Sequence, residues 1–224
     1  MDEVRIIEIK QNVFEANMVN ADKLRAELKK NGSFLLNVMS SPGAGKTTTL
    51  TKLINKLKDK IKIVVLEADI DSDVDARRVS EQTGVEAIQL HTGGMCHLDA
   101  MMTKQGLDEI KTEKPDLIIL ENVGNLVCPA EFDTGAHLNL NILSVPEGDD
   151  KPLKYPLMFE VCDVVLINKI DVQPYFDFDI DKCKSNVLFR NPKATIFPII
   201  AKTGEGIEEV AGYLLDILKK HKGE

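Results

Sequence analysis

Ser40-Ser41-Pro42-Gly43-Ala44-Gly45-Lys46-Thr47-Thr48 stands between two segments of different periodicity. Before it runs Phe34-Leu35-Leu36-Asn37-Val38-Met39, apolar and short enough for a buried strand. After it, Leu50, Leu53, Ile54 and Leu57 recur at helical spacing. Strand, glycine loop and helix is the setting in which backbone N–H groups and a helix N-terminus converge on phosphate oxygens. Gly43, Ala44, Gly45 and Thr48 would then belong to the phosphate cradle, Lys46 would reach the β- and γ-phosphates, and Thr47 would ligate Mg²⁺. The competing reading is a chance glycine-rich turn, and the full pattern asks for glycine where Ser40 stands.

Outward from this loop, apolar runs end in acidic or amide residues. Ile61 to Leu66 reads as a strand that opens onto Glu67, Asp69, Asp71, Asp73 and Asp75. In an open α/β sheet, ligands bind at the C-terminal edge of the strands. Asp69 and Asp75 are candidates for Mg²⁺ or its waters, against the plainer reading of a solvated turn with a helix cap. Leu117 to Glu121 is a further strand, and Glu121 with Gly124 has the spacing of a metal-water carboxylate and a γ-phosphate sensor glycine. Lys46, Thr47, Glu121 and Asp75 form the candidate catalytic group. Val164 to Ile167 leads into Asn168-Lys169-Ile170-Asp171. The Asp171 carboxylate can accept from guanine N1–H and the 2-amino group together, a donor pair that adenine lacks. The Lys169 stem would lie over the base. Ala201 and Lys202, after Thr195 to Ile200, would offer backbone donors to guanine O6. Strands alternate with helices throughout, which predicts a three-layer α/β fold of the P-loop nucleotide-hydrolase kind: a mostly parallel sheet of about seven strands with helices on both faces.

Residues 1–32 read as a helical segment packed on the core and 33–224 as the nucleotide domain. Val13, Phe14, Asn17, Met18, Ala21, Leu24 and Leu28 trace one helical face, with a possible break at Asn20 and a left-handed cap at Asn31-Gly32. That face would pack on the sheet or on a second subunit. Asp99 to Ile110 is expected to be helical with Ala100, Met101, Leu107 and Ile110 inward, and residues 147–156 to form a polar loop. At 224 residues and a formal net charge of -8 the chain can bury a full core, and its charge disfavours nucleic acid and anionic membranes. A start without a basic, apolar leader suggests the cytoplasm. The irregularly spaced Cys96, Cys128, Cys162 and Cys183 are then reduced thiols rather than a disulfide framework. Cys162 and Cys183 read as core. Cys96, His97 and Cys128 lie on loops at the nucleotide edge and suit Zn²⁺ or Ni²⁺, with a small buried thiol and a cap-neighbour histidine as the bland alternative. Three ligands leave the site open, and a two-fold dimer could bring two sets together.

The segments Ser40 to Thr47, His91 to Ala100, Glu121 to Pro129, Glu147 to Pro156 and Asn168 to Asp171 together resemble the HypB family of hydrogenase nickel-incorporation GTPases. The Cys-His loop and the Glu-Gly-Asp-Asp-Lys-Pro loop are not general GTPase features. The resemblance implies GTP hydrolysis coupled to nickel delivery in [NiFe]-hydrogenase maturation, with metal at Cys96, His97 and Cys128. It also implies a GTP- and metal-dependent homodimer, a HypA-like nickel chaperone as partner and the hydrogenase large-subunit precursor as client. No Cys or His precedes His91, so the cysteine- or histidine-rich nickel stores of some members have no counterpart before it. Related dimerising ATPases carry a lysine where Ser41 stands, and Lys154 or Lys151 of a neighbouring subunit is a candidate to supply that charge at the nucleotide. The rival readings are a urease-type nickel accessory GTPase, a dimerisation module that uses nucleotide only structurally, and an ATP-dependent ligase or partitioning ATPase. No water-orienting Gln or arginine finger is evident, so slow turnover is expected.

Overall fold

The computed structural model describes residues 9–69 and 73–223. Asp71 and the side chain of Val13 lie outside the described residues. Strands β1 (Phe34–Ser40), β2 (Ile63–Asp69), β3 (Glu86–His91), β4 (Leu117–Glu121), β5 (Leu138–Ser144), β6 (Val164–Asn168) and β7 (Thr195–Pro198) form one parallel sheet in the order β3-β2-β4-β1-β5-β6-β7. Around it lie α1 (Ile9–Asn31), α2 (Lys46–Leu57), α3 (Val74–Thr83), α4 (Ala100–Asp108), α5 (Cys128–Glu131), α6 (Lys151–Lys154), α7 (Pro156–Glu160), α8 (Ile180–Arg190) and α9 (Ile207–Lys222). Every residue of β1, β4 and β6 is buried, as expected of parallel strands covered on both faces.

Alternate side chains of one strand serve different cores. Leu36 and Val38 of β1 point toward α2, α3 and α9, where Leu50, Ile54, Val79 and Leu214 close the layer. Leu35 points the other way, toward Leu24 and Leu28 of α1, and Met39 joins Phe159, Cys183 and Val187 of α7 and α8. Burying each such aliphatic or aromatic side chain contributes on the order of 1.5–3 kcal/mol. Cys162 and Cys183 are buried in that third cluster, and burial pushes both thiols up, so they behave as small hydrophobes.

A polar ladder crosses the centre of the sheet. Asn122 Nδ2 donates to Asn37 Oδ1 at 3.1 Å, and Asn37 Nδ2 donates to Asn139 Oδ1 at 3.0 Å. Buried amides left unpaired cost about 1–3 kcal/mol each, so this chain penalises any slip between β4, β1 and β5. It also holds the end of β4, and therefore Glu121, against the strand that feeds the glycine loop.

Several expectations are corrected. The N-terminal helix runs unbroken through Asn20 to Asn31, and Met18 is exposed, while Asn17, Ala21, Leu24 and Leu28 face inward. In α4 it is Met102 that packs inward and Met101 that is exposed, because the helix begins at Ala100 under an Asp99 cap that accepts from Met102 N at 2.8 Å. The 147–156 stretch is not open loop: α6 and the start of α7 fall within it, each with proline in its first turn, where the missing N–H costs nothing. The last strand ends at Pro198, and Ile200 forms only a bridge to Glu205.

At the opposite edge of the sheet, His137 Nδ1 accepts from Leu35 N at 3.0 Å and its ring meets His221 edge-on at 4.6 Å. Burial and the neighbouring His221 hold its pKa down at about 4, so the folded state keeps the ring neutral while the unfolded chain protonates near 6.5. The unfolded state binds more protons between those values, so this stabilisation is complete above pH 6.5 and is lost as pH falls toward 4. Discounted for partial solvent contact, the loss is about 2 kcal/mol. Urea melts of wild type and His137→Gln between pH 7 and 4.5 check this: the wild type loses more stability on acidification, and parallel slopes would contradict the assignment.

Candidate nucleotide and metal site

The loop after β1 turns on two glycines, Gly43 with φ 77° and Gly45 with φ 102°, where other residues are strained. A Cβ on Gly45 would stand 2.5 Å from Asn168 Nδ2, so glycine is required there for space as well. The loop and the β6 end are tied together: Asn168 Nδ2 donates to Ala44 O at 2.8 Å and Lys169 Nζ to Gly43 O at 2.7 Å. Asn168 Oδ1 accepts from Lys169 N at 2.8 Å and Ala201 N at 3.0 Å. Asn168 is thus spent on joining the phosphate and base ends of the site. The Ala201 N–H is engaged with Asn168 in this structure, beside the backbone of Lys202, the other donor expected at the base. Lys169, with φ 64°, turns the chain so that Asp171 begins an exposed turn beside this clamp.

The glycine loop walls a cavity of about 480 Å³, lined also by Lys46, Thr47, Asp69, Asp75, Arg78 and Gly124. Thr47 Oγ1 donates to Glu121 Oε1 at 3.2 Å, while the buried Glu121 Oε2 has no hydrogen-bond partner among the described residues. Burial raises the Glu121 pKa to about 7 despite the nearby Lys46 charge, and burial with the neighbouring Glu121 raises that of Glu67 to about 8. Glu67 stands beside Glu121 in register across β2 and β4, with its own Oε2 unpartnered among the described residues. Orphaned buried carboxylate oxygens next to a threonine hydroxyl fit a hard divalent cation, which takes oxygen ligands. Thr47, Glu121, Asp69 and Asp75 would hold it. Gly124 packs against Pro42, where a Cβ would stand 3.2 Å from the ring, so the end of β4 rides on the glycine loop.

Cys96 follows a turn closed by Thr92 Oγ1 donating to Met95 O at 2.6 Å, and Cys128 opens α5. The two sulfurs of these free, half-buried cysteines are 2.7 Å apart, and the candidate ligand atoms of Cys96, His97 and Cys128 all lie within 4.8 Å of one another. Asn125 Nδ2 donates to Cys128 Sγ at 3.4 Å, and the Cys96 sulfur pushes the Cys128 thiol up. The His97 ring stacks on Phe132 with centroids 3.8 Å apart, and burial lowers its pKa, which favours the neutral, ligating form. Two sulfurs and an imidazole are soft and borderline donors suited to zinc or nickel.

Some residues of the site were not singled out by sequence. Arg78 lines the cavity from α3, and only its position three residues after Asp75, on the same helix face, hinted at it. Ser41 donates to Glu147, whose other oxygen accepts from Ser144 N and Oγ, both at 2.8 Å, so the serine of the glycine loop is fastened to the start of the Glu-Gly-Asp-Asp-Lys-Pro segment. Lys154 does not line this cavity: it pairs with Asp150 at 2.6 Å and is 62% exposed.

Residues 34–198 match the family model described as CobW/HypB/UreG, nucleotide-binding domain. The hydrogenase maturation factor HypB of Rhizobium leguminosarum is 42% identical over 214 residues, 96% of this chain and 71% of that protein. The hydrogenase/urease maturation factor HypB of Helicobacter pylori is 41% identical, over 94% of this chain and 87% of its own length. The crystal structure of Helicobacter pylori HypB in complex with nickel superposes with a TM-score of 0.86 at 41% identity, covering 92% of this chain and 97% of that one. The span matched by the family model contains both the glycine loop and the Cys96, His97 and Cys128 cluster, and the chain belongs to the HypB family of hydrogenase maturation factors.

Proposed function

We propose that this chain hydrolyses GTP and uses the nucleotide state to gate a nickel- or zinc-binding site during [NiFe]-hydrogenase maturation. One observation carries the reading: a single short connection leaves β4 with Glu121 at the nucleotide and arrives at Cys128 in the metal cluster, with Gly124 against Pro42 between them. A shift of Gly124 toward a γ-phosphate would therefore be felt at the Cys128 sulfur. When bound, Mg²⁺ neutralises charge on the β- and γ-phosphates. Lys46 binds those phosphates, Thr47 and Glu121 fix the cation side, Asp69 and Asp75 face the same cavity, and Asp171 with Lys169 and Lys202 selects the base. Turnover in the isolated chain is slow, since no glutamine lines the cavity among the described residues to orient the attacking water.

Nickel is cargo rather than a resident group. Cys96, His97 and Cys128 offer three ligands, which leaves positions for a second copy of the chain or for a HypA-like chaperone to complete, before release to the hydrogenase large-subunit precursor. The dimer forms with GTP and metal, and Lys154 of the second copy reaches the nucleotide. If metal binds one nucleotide state better, it changes nucleotide affinity by the same factor.

Titration calorimetry of Ni²⁺ and Zn²⁺ into protein loaded with GDP or with a non-hydrolysable GTP analogue tests the gate. The expected result is affinity that depends on the nucleotide and falls by about a hundredfold in Cys96→Ala and in Cys128→Ala. Equal affinity in both nucleotide states would make the metal structural and remove the gate.

A further inference from the structure

We infer that Arg78 supplies, from within the same chain, the guanidinium that stabilises the transferring γ-phosphoryl group. The inference rests on the GTPase reading above and adds to it a residue of the hydrolytic step. Two consecutive arginines of α3 meet different fates. Arg77 turns outward and is committed to Asp73, with contacts of 2.7 Å from Nε and 2.6 Å from its terminal nitrogen. Arg78 lines the cavity formed by the glycine loop, together with Lys46, Thr47 and Gly124, and makes no ion pair among the described residues.

The helix is fixed on its other side. Val79 and Ala76 are buried, Val79 within the core that also holds Leu50 and Ile54 of α2, so α3 keeps its orientation relative to the phosphate loop. Asp75 and Arg78, three residues apart, then share the face turned to the cavity. An exposed arginine elsewhere on this acidic chain would be expected to find a carboxylate. This one lies in a cavity with Asp69 and Asp75 and pairs with neither, which leaves its planar donor fork for a ligand whose oxygens lie side by side.

In the step proposed, the water oxygen forms a bond to the γ-phosphorus while the bond from that phosphorus to the β–γ bridging oxygen breaks. The electron pair stays on the bridging oxygen of GDP, and both protons of the water leave with the phosphate as dihydrogen phosphate. Negative charge on the bridging and γ-oxygens is what the guanidinium meets, and a preorganised donor aimed there acts on the transition state more than on bound GTP.

The test is single-turnover GTP hydrolysis and GTP affinity measured separately for wild type, Arg78→Ala and Arg78→Lys, with capture of GDP by aluminium fluoride as a second readout. The expected result for Arg78→Ala is turnover lower by about a hundredfold with GTP affinity changed by less than about threefold, and loss of the GDP–aluminium fluoride complex. Lysine restores turnover only in part, because an ammonium cannot bridge two oxygens, and added guanidinium ion at non-denaturing concentration rescues the alanine variant. Because Arg78 is exposed, thermal melting should be unchanged in both variants. Unchanged turnover in Arg78→Ala, or a fall in affinity that accounts for the whole effect, would overturn the inference while leaving the GTPase reading intact. A wild type that hydrolyses no GTP would overturn both.

Discussion

Replacing Lys46 with alanine lowers GTP turnover by about a thousandfold and leaves the melting temperature where it was. The two halves of this expectation have separate grounds. Lys46 is the first residue of α2, where the unpaired N–H groups already concentrate partial positive charge, so a lysine there works against the helix. It makes no ion pair among the described residues, and it contributes no side chain to the three hydrophobic clusters. Its removal relieves the helix N-terminus but withdraws a charge that favours ionised Glu121, so the net change in stability is within about 0.5 kcal/mol. Its ammonium faces the cavity near Glu121 and Thr47, where phosphate charge would otherwise go uncompensated. Steady-state phosphate release, with melting curves on the same samples, measures both halves. Wild-type turnover that survives the substitution would return the chain to the reading in which nucleotide serves only structure.

The parts of the molecule legible in sequence are those in which local pattern and tertiary environment agree. Phe34 to Met39, Asn37 apart, and Val164 to Ile167 are apolar on both faces because helices cover both, and Gly32 ends α1 in the expected left-handed conformation. The candidate metal cluster was legible as a set of rare residue types on two loops, but its closure depends on β3 and β4 lying on either side of β2, which no local spacing encodes. Where the reading missed, a neighbour decided. Met101 and Met102 are equally apolar, and the Asp99 cap sets which one turns inward. The asparagine ladder looked like scattered polar residues in strands until Asn37, Asn122 and Asn139 were found in contact across three of them. The hydrogen bonds from Asn168 to Ala44 and from Ala201 to Asn168 join the glycine loop to the ends of β6 and β7, a tie between segments far apart in sequence that no local spacing encodes. The polar stretch after Glu147 gave no apolar period, since its short helices are carried by prolines in their first turns and by contacts to α8.

Asp171→Asn reverses the choice of base. The carboxylate presents two acceptors, which match the N1–H and 2-amino donors of guanine; an amide presents one acceptor and one donor, so its nitrogen would face the 2-amino group donor to donor. Sites built around such a pair discriminate by about 10⁴-fold when fully buried. Asp171 is exposed in the chain, so water can answer part of the mismatch, and a loss of GTP affinity of about a hundredfold to a thousandfold is expected instead. The same amide should gain xanthosine triphosphate, whose 2-oxo group accepts where guanine donates. ATP should not gain, because the Lys202 N–H remains a donor opposite the adenine 6-amino group, and Asn168, fastened to Ala44 and Ala201, cannot turn to offer an acceptor without releasing the phosphate loop. Competition among the three nucleotides for a fluorescent GDP analogue gives the affinities directly. A variant that keeps its preference for GTP over xanthosine triphosphate would show that Asp171 does not read the base. The bond from Lys169 Nζ to Gly43 O does not involve the Asp171 side chain, so a change in preference is assigned to the Asp171 group itself rather than to a displaced loop.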